Sequence, residues 1–514
     1  MIASNVRRLG LYLVIAFAVV SASSVWWQVV EAPQLATRAD NPEVLAARAT
    51  LPRGTIFDAS GQVLASSALV NGLSVRTYTD SAFTHVIGYA SHRFGTTGIE
   101  RAFEDLLVGQ TDPNPLRDLI RDVLDRQPQP RDLTLTIDQR LQDFAAAQLG
   151  GSPGAVVALD PISGEVLAMV STPTFDATAI SGDPQQAQGP MDALRGDAAE
   201  PLLPRARQGQ YVPGSIIKVL TTAAAIDAGV ITPETTFEDQ PEEEVNGFVV
   251  DGFTIREHDL GSVQPALWAL SEALQVSSNI YFAHVGLEMG GDIFLEYARR
   301  FGFCEPLEVG PANRALGVAP SYLTSPVETD CGSFEGQVEL ASTAFGQGEA
   351  VVTPVQMALV ASAIAGGGVM PHPYVVSEVR AHSETGERSE TVIDSFGSRG
   401  GTRVISTEAA AATRAAMVDA VNGDLGRLFA GQADVTLYGI SGDRAAGKTG
   451  TAQLGGEQAP HSWFIGFAPG QEGATPEIAI AVLVERGGSG SGLAAPIGGR
   501  IMAEWLRLNE SAGN

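Results

Sequence analysis

The chain has 514 residues, 44% of them hydrophobic, which excludes a disordered polymer and suffices for two or three domains of ordinary size. Acidic residues outnumber basic ones by 59 to 32, a formal charge of −27, and no long basic run interrupts that balance. A nucleic-acid partner is excluded on this ground, because a phosphate backbone is bound by neutralising it with Lys and Arg; the acidity serves solubility.

From Leu9 to Val30 there are 22 residues without a charge, preceded by Arg7 and Arg8 and closed by Trp26, Trp27 and Glu31. That is the length of one membrane span, with basic flanks on the cytoplasmic side and Trp at the interface. The expected order is a cytoplasmic tail over 1–8, a transmembrane helix over 9–30 in the cytoplasmic membrane, and the bulk of the chain outside. A cleaved signal peptide ending near Val20-Ser21-Ala22 is the alternative, but the apolar run continues well past a signal core of about 7–15 residues. Residues 31–150 mix short strands and helices with no cluster of catalytic side chains, and suggest a pedestal. Arg53 to Ala65 reads as two short strands around a Gly turn, 116–124 as a helix, and Leu133-Thr134-Leu135-Thr136-Ile137 as a strand before a helix opened by Asp138.

A globular domain over 151–514 is expected to begin with a hairpin, Gly154–Asp160 against Glu165–Ser171, turned by Asp160-Pro161-Ile162-Ser163-Gly164. Residues 178–208 lack periodicity and suggest an exposed loop, helices dominate from 215 to 300, and the last β-rich runs, Ser462–Phe467 and Glu477–Glu485, precede a helix at about 497–507. The chain has only two cysteines, Cys304 and Cys331, which fits an exported protein with a possible single disulfide; the sequence leaves open whether the thiols meet. Cys-x-x-Cys and Cys/His clusters are absent, so no metal site and no cofactor is expected.

Thirty of the 32 cations are Arg, and the only two Lys, Lys218 and Lys448, each stand in a run suited to chemistry. Arg keeps its charge to above pH ~12, whereas a buried Lys can release its proton, so positions that retain Lys point at a site. In Pro213-Gly214-Ser215-Ile216-Ile217-Lys218 the nucleophile candidate Ser215 should lie at a helix start, sharing a face with Lys218. Ser277-Ser278-Asn279 offers a hydroxyl that both donates and accepts and an amide that can hold a peptide group. Gly447-Lys448-Thr449-Gly450-Thr451 offers a positive charge, two hydroxyls, and a glycine, Gly450, that lets a ligand approach backbone. Gly442 to Thr449 also satisfies P-loop spacing, but Gly450, Gly455 and Gly456 follow where a P-loop would open a helix.

Ser-x-x-Lys, Ser-x-Asn and Lys-Thr-Gly in this order form the motif set of penicillin-binding proteins and class A β-lactamases, and the chain resembles a class B penicillin-binding protein, a peptidoglycan D,D-transpeptidase. Arg53-Gly54-Thr55-Ile56, Gly154 to Asp160, Phe345-Gly346-Gln347-Gly348 and Thr353-Pro354-Val355-Gln356 resemble further landmarks, and His85 to Tyr89 with Gly98-Ile99-Glu100 is most like the short actinobacterial-type subgroup. The resemblance implies an α/β (α+β) fold: a transmembrane helix, an elongated mixed α/β pedestal, and a β-lactamase-like transpeptidase domain whose central antiparallel sheet is flanked by helices. It implies that Ser215 is acylated by D-Ala-D-Ala stem peptides and by β-lactams, with Lys218 as base, Ser277 as relay, and Asn279, Thr449 and Gly450 binding substrate. Lys448 would orient relay and carboxylate and keep its proton, and the Ser215 and Thr451 amides would form the oxyanion hole. A SEDS-type membrane glycosyltransferase is the implied partner, because the 31–150 segment is too short for a polymerase domain as well. Ser278 stands where related enzymes carry Asp, and the distance from Ser277 to Lys448 suggests an inserted segment near 375–405. The alternatives are a D,D-carboxypeptidase or β-lactamase, which share the acylation step, and a non-catalytic β-lactam sensor or scaffold.

Overall fold

The computed structural model describes residues 2–27, 52–70, 72–109, 129–311, 313–325, 331–383, 385–456 and 458–512. The expected end of the membrane span at 28–30, the start of the pedestal at 31–51 and the expected helix over 116–124 lie outside them. A helix, Ile2–Val25, contains one window, Arg7–Val25, long and apolar enough to cross a membrane, and none of that window is buried against the rest of the protein. Large apolar side chains such as Phe17 are open to the surroundings, which suits lipid and not water.

Five antiparallel strands form the central sheet, in the order Ala446–Ala452, His461–Ala468, Ile478–Val484, Gly154–Leu159, Val166–Thr172. The middle three are buried along their whole length, which explains why they read as continuous apolar runs and not as alternating ones. Successive side chains nonetheless go to opposite faces. Val157, Ala481 and Ile465 pack with the helices Lys218–Asp227 and Pro354–Ala365, while Val156, Val482 and Phe464 pack with Gln139–Leu149 and Ala494–Ala512. Asp138 starts one of these helices by accepting the Arg140 N–H, and Thr353 starts another by accepting that of Gln356 with Pro354 behind it. The expected hairpin pairs as anticipated, Val156 opposite Val170.

The second sheet has six strands, in the order Val392–Ser395, Val376–Ala381, Arg131–Leu135, Ile56–Phe57, Val63–Val70, Leu73–Tyr78. The first two strands at one edge come from the segment suspected as an insertion, so a stretch more than 200 residues downstream completes the pedestal sheet; Ser377 Oγ donates to Thr134 O across a separation of 243 residues. The expected loop at 178–208 is a correction: it contains helices Ala177–Ser181, Gln188–Gly196 and Arg205–Gln208. Asp176 caps the first through the Thr178 and Ala179 N–H groups, and Ile180 and Met191 pack with Phe175 against Tyr89 and Phe94 of the pedestal. Helices of four to nine residues are too short to display a period, and here tertiary packing supplies what local propensity lacks. Cys304 and Cys331 are joined by a disulfide, with Cα atoms 5.2 Å apart.

Candidate active site

Ser215 sits in a 3-10 turn, Gly214–Ile217, that runs directly into the helix Lys218–Asp227. A 3-10 turn has three residues per revolution, so side chains at i and i+3 eclipse, and Ser215 and Lys218 leave the turn in one direction. Two glycines make the turn possible. Gly214 has φ +58° and Gly346, on the next element, φ +101°; a Cβ on Gly346 would lie 1.8 Å from the Gly214 carbonyl oxygen. The indole N–H of Trp463 donates to Val212 O at 3.0 Å and ties the turn to the central sheet. Ser215 remains half-exposed while Ile216, Ile217 and Lys218 are buried. Among the described residues its Oγ has no hydrogen-bond partner.

Lys218 Nζ donates to Ser277 O at 2.5 Å, Asn279 Oδ1 at 2.9 Å and Ser277 Oγ at 3.2 Å. Complete burial pushes its pKa down to about 7, against the opposing pull of the Glu257 carboxylate. Ser277 ends the helix Leu270–Val276 in the left-handed conformation, φ 61°, which turns its hydroxyl back towards both lysines. Ser278 then caps the helix Asn279–Met289 by accepting the Tyr281 N–H, and its hydroxyl donates to Glu257 Oε2 at 2.8 Å. Lys448 Nζ donates to Ser277 Oγ at 2.8 Å and to Thr449 O at 3.1 Å. Burial and the neighbouring Lys218 hold the Lys448 amine well below its usual range. The carboxylate acting on this pair, Glu257, acts on Lys218.

Lys448, Thr449, Gly450 and Thr451 lie on the strand Ala446–Ala452, at the edge of the central sheet, with Lys448 paired to Ile465 and Gly450 to Trp463. A strand in this place corrects the P-loop alternative, which needs a Gly-rich turn opening a helix. Gly450 has a second use besides ligand approach: a Cβ there would meet Pro213 O at 2.9 Å and the Ile216 side chain at 3.0 Å, so the residue lets the Ser215 turn dock on the strand. Thr451 Oγ1 accepts the Gly490 N–H at 3.2 Å, fixing a loop that forms the rim.

Ser215, Ser277, Asn279, Thr449 and Thr451 face one cleft of about 900 Å³. The two lysines lie beneath it, linked through Ser277 Oγ. The opposite wall, residues 253–262, was not singled out by sequence reasoning, nor were Glu257 and His258 within it. His258 Nε2 donates to Val276 O at 2.8 Å, and burial together with Lys218 lowers its pKa. Glu257 gave no signal in the sequence, because its partners, Ser278 and the Asn279 and Ile280 N–H groups, lie more than 20 residues downstream.

Such an arrangement is a serine acyl-transfer site: a hydroxyl near an amine of depressed basicity, a relay hydroxyl, and a strand edge for an extended peptide. Residues 154–503 match the penicillin binding protein transpeptidase domain, and 53–133 match the penicillin binding protein A dimerisation domain. The chain belongs to the penicillin-binding protein transpeptidase family. It is 32% identical to the peptidoglycan D,D-transpeptidase PbpA of Mycolicibacterium smegmatis, over 98% of this chain and 99% of that one. Its structure is similar to the imipenem acyl-enzyme complex of penicillin-binding protein A from M. tuberculosis, with TM-score 0.75, 30% identity and coverage of 90% and 99% of the two chains. It is also similar to PBP2 of Pseudomonas aeruginosa, with TM-score 0.68, 28% identity and coverage of 89% and 96%.

Proposed function

We propose that the protein is a membrane-anchored serine D,D-transpeptidase that cross-links peptidoglycan stem peptides through an acyl-enzyme on Ser215. The observation that carries this reading is the hydrogen-bond chain Lys218–Ser277–Lys448 at the floor of the cleft that Ser215 faces. Neutral Lys218 accepts the Ser215 proton as Oγ attacks the carbonyl of the penultimate D-Ala. The tetrahedral oxyanion is held by the Ser215 and Thr451 N–H groups. The proton passes by way of Ser277 to the departing nitrogen, the C–N bond breaks, and D-Ala leaves. An amine of a second stem peptide then attacks the ester, loses a proton through the same groups, and regenerates Ser215. Asn279 and Thr449 hold the peptide, and the Lys448 ammonium, when charged, faces the terminal carboxylate. A β-lactam acylates Ser215 in the same way, its ring amide taking the place of the scissile bond.

Residues 1–8 form the cytoplasmic tail, 9–30 the span, 31–150 the pedestal and 151–514 the catalytic domain outside the membrane. A membrane-impermeant fluorescent penicillin, applied to spheroplasts and followed by peptide mapping, tests activity and placement together. Ser215 is expected to carry the label, and Ser215→Ala is expected to lose both labelling and D-Ala release. Label elsewhere, D-Ala release by the variant, or rapid turnover of a chromogenic cephalosporin without a lasting acyl-enzyme would each defeat the reading.

A further inference from the structure

We propose that Glu257 is a positioning residue of this site: its carboxylate fixes the Ser277-Ser278-Asn279 turn and, through that turn, every acceptor that holds Lys218. The proposal rests on the acyl-transfer reading above. The Glu257 side chain is 4% exposed. Its Oε1 accepts the Asn279 N–H at 2.8 Å and the His258 N–H at 3.0 Å; its Oε2 accepts the Ser278 hydroxyl at 2.8 Å and the Ile280 N–H at 3.2 Å. The Asn279 and Ile280 N–H groups open a helix and have no acceptor within it, so a carboxylate there answers both the missing bonds and the positive end of the helix dipole.

The consequence reaches the base directly. Ser277 O, Ser277 Oγ and Asn279 Oδ1 are the three acceptors of Lys218, and all belong to the turn that Glu257 anchors. Ser277 holds a left-handed backbone conformation that an L side chain disfavours, so the turn needs restraint from outside. Ser278 has no charge to provide it, and Glu257 supplies a carboxylate from 21 residues upstream. The charges around Lys218 are Glu257 and His258 on the cleft wall and Lys448 on the strand, with Glu244 behind, sharing the Ser278 hydroxyl at 3.3 Å. Of these, Glu257 is the anion that favours the ammonium form of Lys218. Removing its charge therefore makes Lys218 easier to deprotonate, while removing its reach loosens Lys218 without changing its charge balance.

The test is the rate of acylation by a fluorescent penicillin as a function of pH, with the full-length protein, for Glu257→Gln and Glu257→Asp. Misplacing a catalytic group by about 1 Å can cost 100-fold, so both variants are expected to acylate roughly 10- to 100-fold more slowly. The midpoint of the rising limb should move to lower pH in Glu257→Gln and stay at its original value in Glu257→Asp. A merely structural support would slow both variants with no shift in either. An unshifted Glu257→Gln, a shifted Glu257→Asp, or full rates in either variant would overturn the proposal. If Glu257→Gln fails to fold, the equally uncharged Glu257→Asn takes its place with the same shift to lower pH expected; if neither uncharged variant folds, Glu257 serves core stability and the proposal is wrong. Failure of the underlying acyl-transfer reading would be recognised separately, as an unmodified protein with no label on Ser215.

Discussion

One hydroxyl, Ser277 Oγ, lies 3.2 Å from the Lys218 amine and 2.8 Å from that of Lys448, and both amines are buried. Two full charges around one buried hydroxyl repel in a medium of low polarity, which together with burial disfavours the doubly charged pair. A neutral amine at either end can take the hydroxyl's proton while the other donates to its oxygen, the geometry that the proposed proton relay requires. With Lys218 held at about pKa 7, its neutral fraction grows as pH rises and shrinks as pH falls. Acylation by penicillin should therefore fall about tenfold per unit below pH ~7 and level off above it, as read by stopped-flow labelling; a flat profile from pH 5 to 8 would remove Lys218 as the base. Lys218→Arg should slow acylation by roughly 10²–10⁴-fold, the range of a lost general base, and Lys448→Arg should slow it less. Equal rates in the two variants would show that the lysines do not have separate roles.

Among the elements, the junction between the 3-10 turn and its helix is what leaves Ser215 partly exposed at the cleft while Ile216, Ile217 and Lys218 are buried. The turn is clamped from three sides: Gly450 on the strand, Gly346 behind it, and the Trp463 indole through Val212. Gly346→Ala would force a side chain into the Gly214 carbonyl and a non-glycine residue into positive φ. Backbone strain of this kind costs about 1–3 kcal/mol per residue, and here it bears on the turn that carries Ser215. The expected result is a lower melting temperature together with slowed acylation. A variant that melts earlier but is labelled at the original rate would show that the turn tolerates displacement.

At the scale of the whole molecule, the pedestal is not a detachable stalk. Its sheet is completed by Val376–Ala381 and Val392–Ser395, and its Tyr89 and Phe94 pack with Phe175, Ile180 and Met191, so it shares a sheet and a core cluster with later parts of the chain. A membrane helix at one end and a catalytic cleft within the other body suit a protein that acts on glycan strands made at the membrane. We propose a SEDS-type glycosyltransferase as the enzyme that supplies them. Full-length protein isolated in mild detergent after in-cell crosslinking should carry such a multispanning partner; recovery without one would count against the pairing.

Sequence by itself singled out the residues that the structure gathers at one cleft. Ser215, Lys218, Ser277, Asn279, Lys448 and Thr449 were legible because the motifs that hold them are short, and their local rules extend only a few residues along a helix or strand. Four of the five central strands and the membrane-length helix were legible for the same reason, since apolar runs and their lengths are local quantities; the edge strand Ala446–Ala452 has no such run. Tertiary structure decided what depends on partners far apart in the chain. Glu257 gained its meaning from Ser278, the helices within 178–208 from the pedestal aromatics, and the inserted strands from Arg131–Leu135. The electrostatic surroundings of the lysines were set there as well, because burial and the nearest carboxylate are properties of the packed site that neither residue's neighbours in sequence reveal.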